Sequence, residues 1–296
     1  MMKRLFALLL VTLMLFSLCS CKKETPRVVE GSITFTAETF PKIAVTGATE
    51  ATGQIIAKAV LGDADVSGLI VRKPSVKAAY EALKTGECSM VIAFLPDSET
   101  VKQLLCADIT FEMTEFSKDA LIFLTNSENK ANNLTAQNIK DIYSGKINNW
   151  KDLGFEDMGI AAFSATEGTT IKNIFDNTFL PDYSGYKAPL STIMTQNGEF
   201  TAPIDYDNRA GALGYCFYSE LSTKSIEKNG KIKVLNIDGK AASNETILNG
   251  QYIWTADVAV SIKHSEVVDS RTRLLYNWIL SKQGKEVLKN SGLVIS

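Results

Sequence analysis

Two short stretches of the 296-residue chain place a glycine and hydroxyl residues directly ahead of an apolar run with helical spacing. The first is Gly47, Ala48 and Thr49, followed by Ile55, Ile56, Ala59 and Val60. The second is Thr166, Glu167, Gly168, Thr169 and Thr170, followed by Ile171, Ile174, Phe175 and Phe179. The first amides of a helix lack intrahelical acceptors and the helix dipole adds partial positive charge there, so such a start can hold an oxyanion. Gly47 lets a backbone approach a ligand closely, and Thr49 offers a hydroxyl. A tight turn with an ordinary N-cap accounts for Gly47 to Thr49 equally well.

Beyond those stretches the inventory of reactive groups is thin. His264 is the only histidine, so no Ser/His/Asp or Cys/His set is visible, and a lone surface histidine is the plain reading. No Walker-type or GxGxxG loop occurs, and the scattered Asp and Glu have no metal-ligand spacing. Neither catalysis nor a metal or cofactor is expected. Of the five cysteines, Cys88, Cys106 and Cys216 lie beyond the N-terminal segment, each in or beside an apolar run where cysteine behaves as a small buried hydrophobe. A disulfide between Cys88 and Cys106 is the alternative. Trp150, Trp254 and Trp278 read as packing residues, although Trp254 beside Tyr252 is also within reach of a cleft.

With 45% hydrophobic and 22% charged residues the chain can bury a substantial core, and its length favours two domains over one. A formal net charge of -2 leaves no basic footprint, which argues against nucleic acid as a partner. Lys3 and Arg4 precede the apolar run Leu5 to Leu18, a secretory leader too short to serve comfortably as a permanent span. Leu18, Cys19, Ser20 and Cys21 resemble the bacterial lipobox, with Leu at the third place before the acylated cysteine and a small residue at the cut. Residues 1–20 are therefore read as a signal peptide, Cys21 as the lipid-bearing (palmitate) residue, and 21–31 as a tether that holds the folded part off its membrane.

The elements that must position the two stretches alternate between strand and helix. Short strands are predicted at Lys42 to Val45, Gly68 to Val71 and Ser89 to Phe94, with helices after Glu50 and over Ser75 to Thr85. Asp119 to Thr125 is an apolar run that reads as a buried strand, with Asn126 to Asn133 as its exit loop. Thr135 sits where an N-cap hydroxyl belongs, Ile139, Ile142 and Tyr143 form one buried face, and Gly145 supplies a stop. A strand at Ile160 to Phe163, a helix over Thr169 to Leu180, a strand over Tyr252 to Ile262 and terminal helices from Arg271 complete the reading.

Three segments, in this order, carry a family resemblance: DIYSGKINNW at Asp141 to Trp150, ATEGTTIKNIFDNTFL at Ala165 to Leu180, and RAGALGY at Arg209 to Tyr215. They resemble the "DIFSGKITNW"-like helix and turn, the "GSGT…F" helix start and the "GAIGY" return strand of the substrate-binding proteins of phosphate ABC transporters. The resemblance runs from about Ser32 to the C-terminus and is strongest from Asp119 to Tyr215. It implies an α/β fold of the two-lobed periplasmic-binding-protein type II, with mixed, mainly parallel sheets, helices on both faces and two hinge crossings. Lobe 1 would comprise 32–116 plus 217–296, and lobe 2 would comprise 117–216.

The same resemblance implies a ligand site of Gly47, Ala48, Thr49, Ser75, Ser89, Glu167, Gly168, Thr169 and Thr170. Ser75 and Ser89 stand at or near positions where the family supplies hydroxyl and carboxylate contacts. Three positions depart from the pattern: Ser89 replaces an Asp, Glu167 replaces a Ser, and Phe163 with Ser164 stand near the family's anion-pairing Arg. Arg209 or Arg72 could supply the replaced cation, or each could be a solvated loop arginine. Glu167 itself would act as a built-in anion, its carboxylate accepting the amides that a ligand would use, or would be an exposed residue that caps the helix and points away from the cleft. The implied protein is a lipid-anchored, extracytoplasmic binding protein that delivers phosphate or another small oxyanion to ABC permease subunits. A sensor or adaptor lipoprotein that keeps the fold with a different ligand, or none, is the alternative.

Overall fold

The computed structural model describes residues 28–29, 33–96, 98–105, 110–165, 167–180, 193–195, 209–223 and 231–296. The leader, Cys21 and its lipobox, and Cys106 lie outside the described residues. The chain builds β1 (Ile43–Thr46), α1 (Glu50–Leu61), β2 (Ile70–Lys73), α2 (Val76–Thr85), β3 (Met90–Phe94) and α3 (Ser98–Leu105). It continues through β4 (Phe111–Asn126), α4 (Ala136–Tyr143), β5 (Ala161–Ala165), α5 (Thr170–Ile174), β6 (Ala212–Phe217), α6 (Tyr218–Thr223) and β7 (Ile232–Val234). The last long elements are β8 (Thr255–Lys263), α7 (Arg271–Leu280) and α8 (Lys282–Asn290).

Local chemistry explains where the helices start and stop. The Ser75 hydroxyl caps α2 by accepting from the Ala78 amide, and Gly86 ends that helix in the left-handed conformation at φ 81°. At α4, Thr135 and Asn138 form a reciprocal capping box. The helix expected over Thr169 to Leu180 is α5 followed without a break by a π-helical turn, Phe175–Phe179. The wider turn brings Phe175 flat against Tyr215, with ring centroids 4.4 Å apart and planes 12° from parallel.

The strand β4 is longer than the apolar run predicted. Its first half carries exposed and half-buried residues, so hydrophobicity alone marks only Phe116 onward. That length matters because β4 changes partner part-way. Residues Phe111 to Ala120 pair antiparallel with β8, whereas Leu121 to Thr125 pair antiparallel with β6. On one side of this switch lie β1, β2 and β3, with β1 parallel to both of its neighbours and β3 antiparallel to β8. On the other side lie β5, parallel to β6, and the short strand Ile193–Thr195. One strand thus runs through two sheet halves, as a two-lobed molecule requires.

One part of the expected division needs correction. The chain after Phe217 does not complete the first half alone: β7 pairs with Leu124 to Asn126, and Asn236–Ile237 pairs with Asn133–Leu134. Both ladders belong to the β6 side of the switch. An edge backbone left unpaired beside β4 would carry unsatisfied polar groups, and β7 supplies those partners.

The large side chains meet around the switch. Phe123, Phe175 and Phe179 pack on Trp254, and Phe123 also faces Tyr143 and Tyr215. Trp150, Trp254 and Trp278 are all buried, as packing residues. Cys88 and Cys216 are buried and unbridged. No helix of the described residues is long and apolar enough to cross a membrane.

Candidate functional site

Gly47, Ala48, Arg72, Lys73, Pro74, Glu167, Gly168, Thr169, Thr170 and Ile171 line one cavity of about 290 Å³. Its two walls come from different sheet halves. The first wall is the turn from β1 into α1, together with the end of β2. The second is the turn from β5 into α5. Parallel strands present their carboxyl ends to a ligand crevice, and β1, β2 and β5 all end here.

Several contacts fix the second wall. The Trp150 indole donates to the Gly211 carbonyl at 3.2 Å, and a Cβ on Gly211 would come within 2.2 Å of the Gly159 carbonyl oxygen. This seats β6 beside β5. The Tyr215 hydroxyl then accepts from the Ala165 amide at 3.1 Å and lies 3.2 Å from the Ser164 hydroxyl, which holds the end of β5 two residues before Glu167. Burial raises the Tyr215 phenol well above its ordinary value, so it remains a neutral anchor. The segments that carry the family resemblance therefore touch one another behind the cavity.

The individual site expectations divide. Gly47, Ala48, Glu167, Gly168, Thr169 and Thr170 are brought together. Thr49 is not among the lining residues; its hydroxyl donates to the Ile92 carbonyl at 2.7 Å and accepts from the Thr46 amide at 3.1 Å. It is a buried latch between β1 and β3. Ser75 lines a separate open cavity of about 480 Å³ with Lys77 and Glu81, its hydroxyl engaged as the α2 cap.

Ser89 is misplaced by the sequence reading. Met90 pairs with Ile43 in the parallel ladder, and the Ser89 amide donates to Lys42, so Ser89 stands at the amino end of the strands. That is roughly 13 Å along the strands from Thr46, four residues on, where the cavity begins. A parallel ladder cannot bring both ends to one ligand.

Glu167 follows the second of its two readings, an exposed residue, and not the built-in anion. Its side chain is 75% exposed, and its carboxylate sits 3.5 Å from the ammonium of Lys172, one turn into α5. Lys172 is itself buried and pairs with Asp176 as well. The carboxylate is therefore occupied by a cation of its own helix and solvent, and is not folded back onto the helix amides. Thr169 caps α5 by accepting from Lys172.

Thr170 is 7% exposed, and its hydroxyl oxygen is buried without a hydrogen-bond partner among the described residues. Such a group costs about 1–3 kcal/mol, which makes this hydroxyl the polar group of the cavity wall whose partner remains to be accounted for. The family resemblance places Thr170 in the site, but no spacing rule shows that its hydroxyl is unpaired. Lys73 and Pro74 were missed; their signal is position, directly after the apolar run of β2 at its carboxyl end. Arg72, weighed earlier beside Arg209, lines the cavity, whereas Arg209 is exposed and does not. His264 is exposed and lies 3.2 Å from Glu112, away from all of this.

The switch in β4 has its own polar lock. Asp119 is buried and accepts from the Ala120 amide at 2.8 Å and from the Ser219 amide and hydroxyl at 3.1 and 2.6 Å. Burial pushes its carboxyl up to about 7 against the pull of these donors, with Glu220 adding to the rise. The lock ties the outgoing strand to the start of α6, directly after the returning strand β6.

A sequence profile described as a PBP superfamily domain matches residues 34–279. The phosphate-binding protein PstS of Borreliella burgdorferi is 25% identical over 189 residues, which cover 61% of this chain and 64% of that relative. The phosphate-binding protein PstS of Staphylococcus epidermidis is 25% identical over 226 residues, covering 74% of this chain and 67% of that one. The chain thus spans about two thirds of the length of the curated relatives it matches. Among solved structures, a Clostridium perfringens protein described as a phosphate ABC transporter substrate-binding protein, crystallised with phosphate, superposes with a TM-score of 0.65 at 20% identity. That match covers 86% of this chain and 99% of the other, and bears on the fold.

Proposed function

The chain belongs to the PBP superfamily, and from that premise we propose that it is an extracytoplasmic solute-binding protein that holds a tetrahedral oxyanion, phosphate first, for an ABC importer. The observation that carries this reading is the cavity shared by the Gly47–Ala48 turn and the Gly168–Thr170 turn, with Arg72 on its rim. Both walls end in a helix start, whose unpaired amides and dipole favour an anion. The volume of about 290 Å³ suits a small ligand rather than an oligosaccharide or peptide. Relatives named as phosphate-binding proteins give phosphate its place at the head of the list.

The protein binds and does not react. Lobe 1 is assigned as 32–116 plus 217–296 except 232–237, and lobe 2 as 117–216 with that strand pair added. Ligand groups on both lobes draw them together about the crossings at β4 and β6, and the closed form is what a permease recognises. Cys21, outside the described residues, is assigned the lipid anchor that keeps the protein at the extracytoplasmic membrane face.

The test is calorimetric titration of the purified protein with phosphate, sulfate, amino acids and sugars. Saturable heat with phosphate or another tetrahedral oxyanion supports the reading. No heat with any oxyanion, alongside normal folding, overturns it and favours an adaptor that kept the fold with another ligand or none.

A further inference from the structure

We propose that, among tetrahedral oxyanions, this cavity favours one that carries a positively charged arm, with the oxyanion at the start of α1 and the cation of the arm at Glu167. The inference rests on the oxyanion reading above and names the ligand class within it, a zwitterionic phosphonate or phosphate ester.

The charges on the two walls are unequal. Among the described lining residues, the cations Arg72 and Lys73 belong to the first wall, whereas the carboxylate of Glu167 belongs to the second. Each cation is engaged on its own wall, Arg72 with Glu50 and Lys73 with Glu87. On the second wall one ammonium serves two carboxylates. Lys172 donates its hydrogen bond to Asp176, and Glu167 stands 3.5 Å from the same nitrogen. Among the described residues, Lys172 is the one ion-pair partner of Glu167, and no hydrogen bond reaches its carboxylate. The second wall therefore keeps a net negative charge, and Glu167, 75% exposed, is the part of it that a ligand can meet. A carboxylate in that position repels inorganic phosphate and attracts a cation.

The oxyanion end has its own place. α1 runs for twelve residues, and its N-cap residue, Thr49, makes no side-chain cap, because its hydroxyl is spent on the Ile92 carbonyl. The first amides of α1 are thus open to an oxyanion beside Gly47 and Ala48. Thr170, on the facing wall and 7% exposed, holds a hydroxyl with no partner among the described residues. Rotation about χ1 lets that hydroxyl donate to the same oxyanion.

Size agrees with charge. A cavity of about 290 Å³ stands at the lower end of the range that organic ligands occupy, so a short arm fits beside a phosphoryl group. The arm ends at Glu167, on the solvent side of the cavity.

Three probes test this by calorimetry: inorganic phosphate, ethylphosphonate, and aminoethylphosphonate, which differs from the second probe only in its ammonium. Each is titrated into wild type and Glu167→Gln, with the ligand-free melting temperature of both proteins measured. A unit charge about 4 Å from a solvated carboxylate changes affinity about fivefold. Wild type should therefore bind aminoethylphosphonate about fivefold more tightly than ethylphosphonate, and added salt should shrink the difference. In Glu167→Gln, with its ligand-free melt unchanged, that difference should vanish while inorganic phosphate binds more tightly, so one substitution moves the two ligands in opposite directions. Equal binding of the two phosphonates by wild type, or a preference that survives in Glu167→Gln, overturns this assignment and leaves the oxyanion reading intact. Uptake of inorganic phosphate with neither phosphonate does the same. Wild type that takes up none of the three overturns both.

Discussion

Replacing Thr170 with valine keeps the shape of the side chain and removes only its buried hydroxyl. In the ligand-free protein that oxygen has no partner among the described residues, a condition that costs about 1–3 kcal/mol. Thr170→Val should therefore stabilise the ligand-free protein by about that amount, which for a protein of this size raises the melting temperature by roughly 2–4 °C per kcal/mol. The bound state moves the other way. A hydroxyl donated to an anion contributes about 1.5–3 kcal/mol, so the valine variant should bind phosphate roughly tenfold to 150-fold more weakly. Thr170→Ser, which keeps the hydroxyl, should hold its affinity. Melting curves with and without saturating phosphate read both effects in one assay, because ligand stabilisation follows concentration over affinity. A valine variant that melts no higher than wild type and binds phosphate as tightly would show that the hydroxyl is satisfied by something other than a ligand, and the argument from the orphaned oxygen would fail.

Three further outcomes are expected. The Asp119 carboxyl, raised to about 7 from an ordinary 3.8, keeps its proton in the folded protein at pH values where the unfolded chain has lost it. Stability should then fall as pH rises from about 4 to 7, by at most about 4 kcal/mol from this group; Asp119→Asn should flatten that slope in denaturant melts, and an unchanged slope would contradict it. Gly211→Ala puts a Cβ 2.2 Å from the Gly159 carbonyl oxygen, backbone that cannot swing aside, so it should destabilise by about 2 kcal/mol or more in the same melts; a neutral result would mean that β5 and β6 can separate freely. Glu167→Ser should strengthen phosphate binding only about fivefold, since a carboxylate that is 75% exposed repels through a water-like medium at about 1 kcal/mol for 4 Å. A gain of several orders of magnitude in calorimetry would restore Glu167 as a built-in anion at the helix amides.

The fold was legible because its signals are local and mutually consistent. Thr135 caps α4 where the hydroxyl predicts, and Trp150 and Gly211, two unrelated marks in the sequence, meet in one hydrogen bond. What stayed hidden depends on register and on facing sides. Ser89 precedes a strand as an Asp does in the resembled family, but only the ladder from Ile43 to Met90 shows which end of the sheet it occupies. Thr49 offers a hydroxyl in sequence, and only the third dimension reveals that Ile92 receives it. Glu167 lies at the helix start predicted for it, yet Lys172 one turn on decides where its charge points. The early half of β4 carries too few apolar residues to read as a buried strand, and its pairing with β8 supplies the order that hydrophobicity does not. Arg72 could be marked as a candidate from position alone, but its approach to Gly47 is a contact between residues twenty-five apart that no spacing rule describes.

The most direct test of the central claim is a crystal structure of the wild-type protein grown with phosphate. The account predicts one anion between the two walls, within hydrogen-bond distance of the Gly47–Ala48 turn and the Gly168–Thr170 turn. An empty cavity at saturating phosphate, or an anion bound elsewhere, would contradict it.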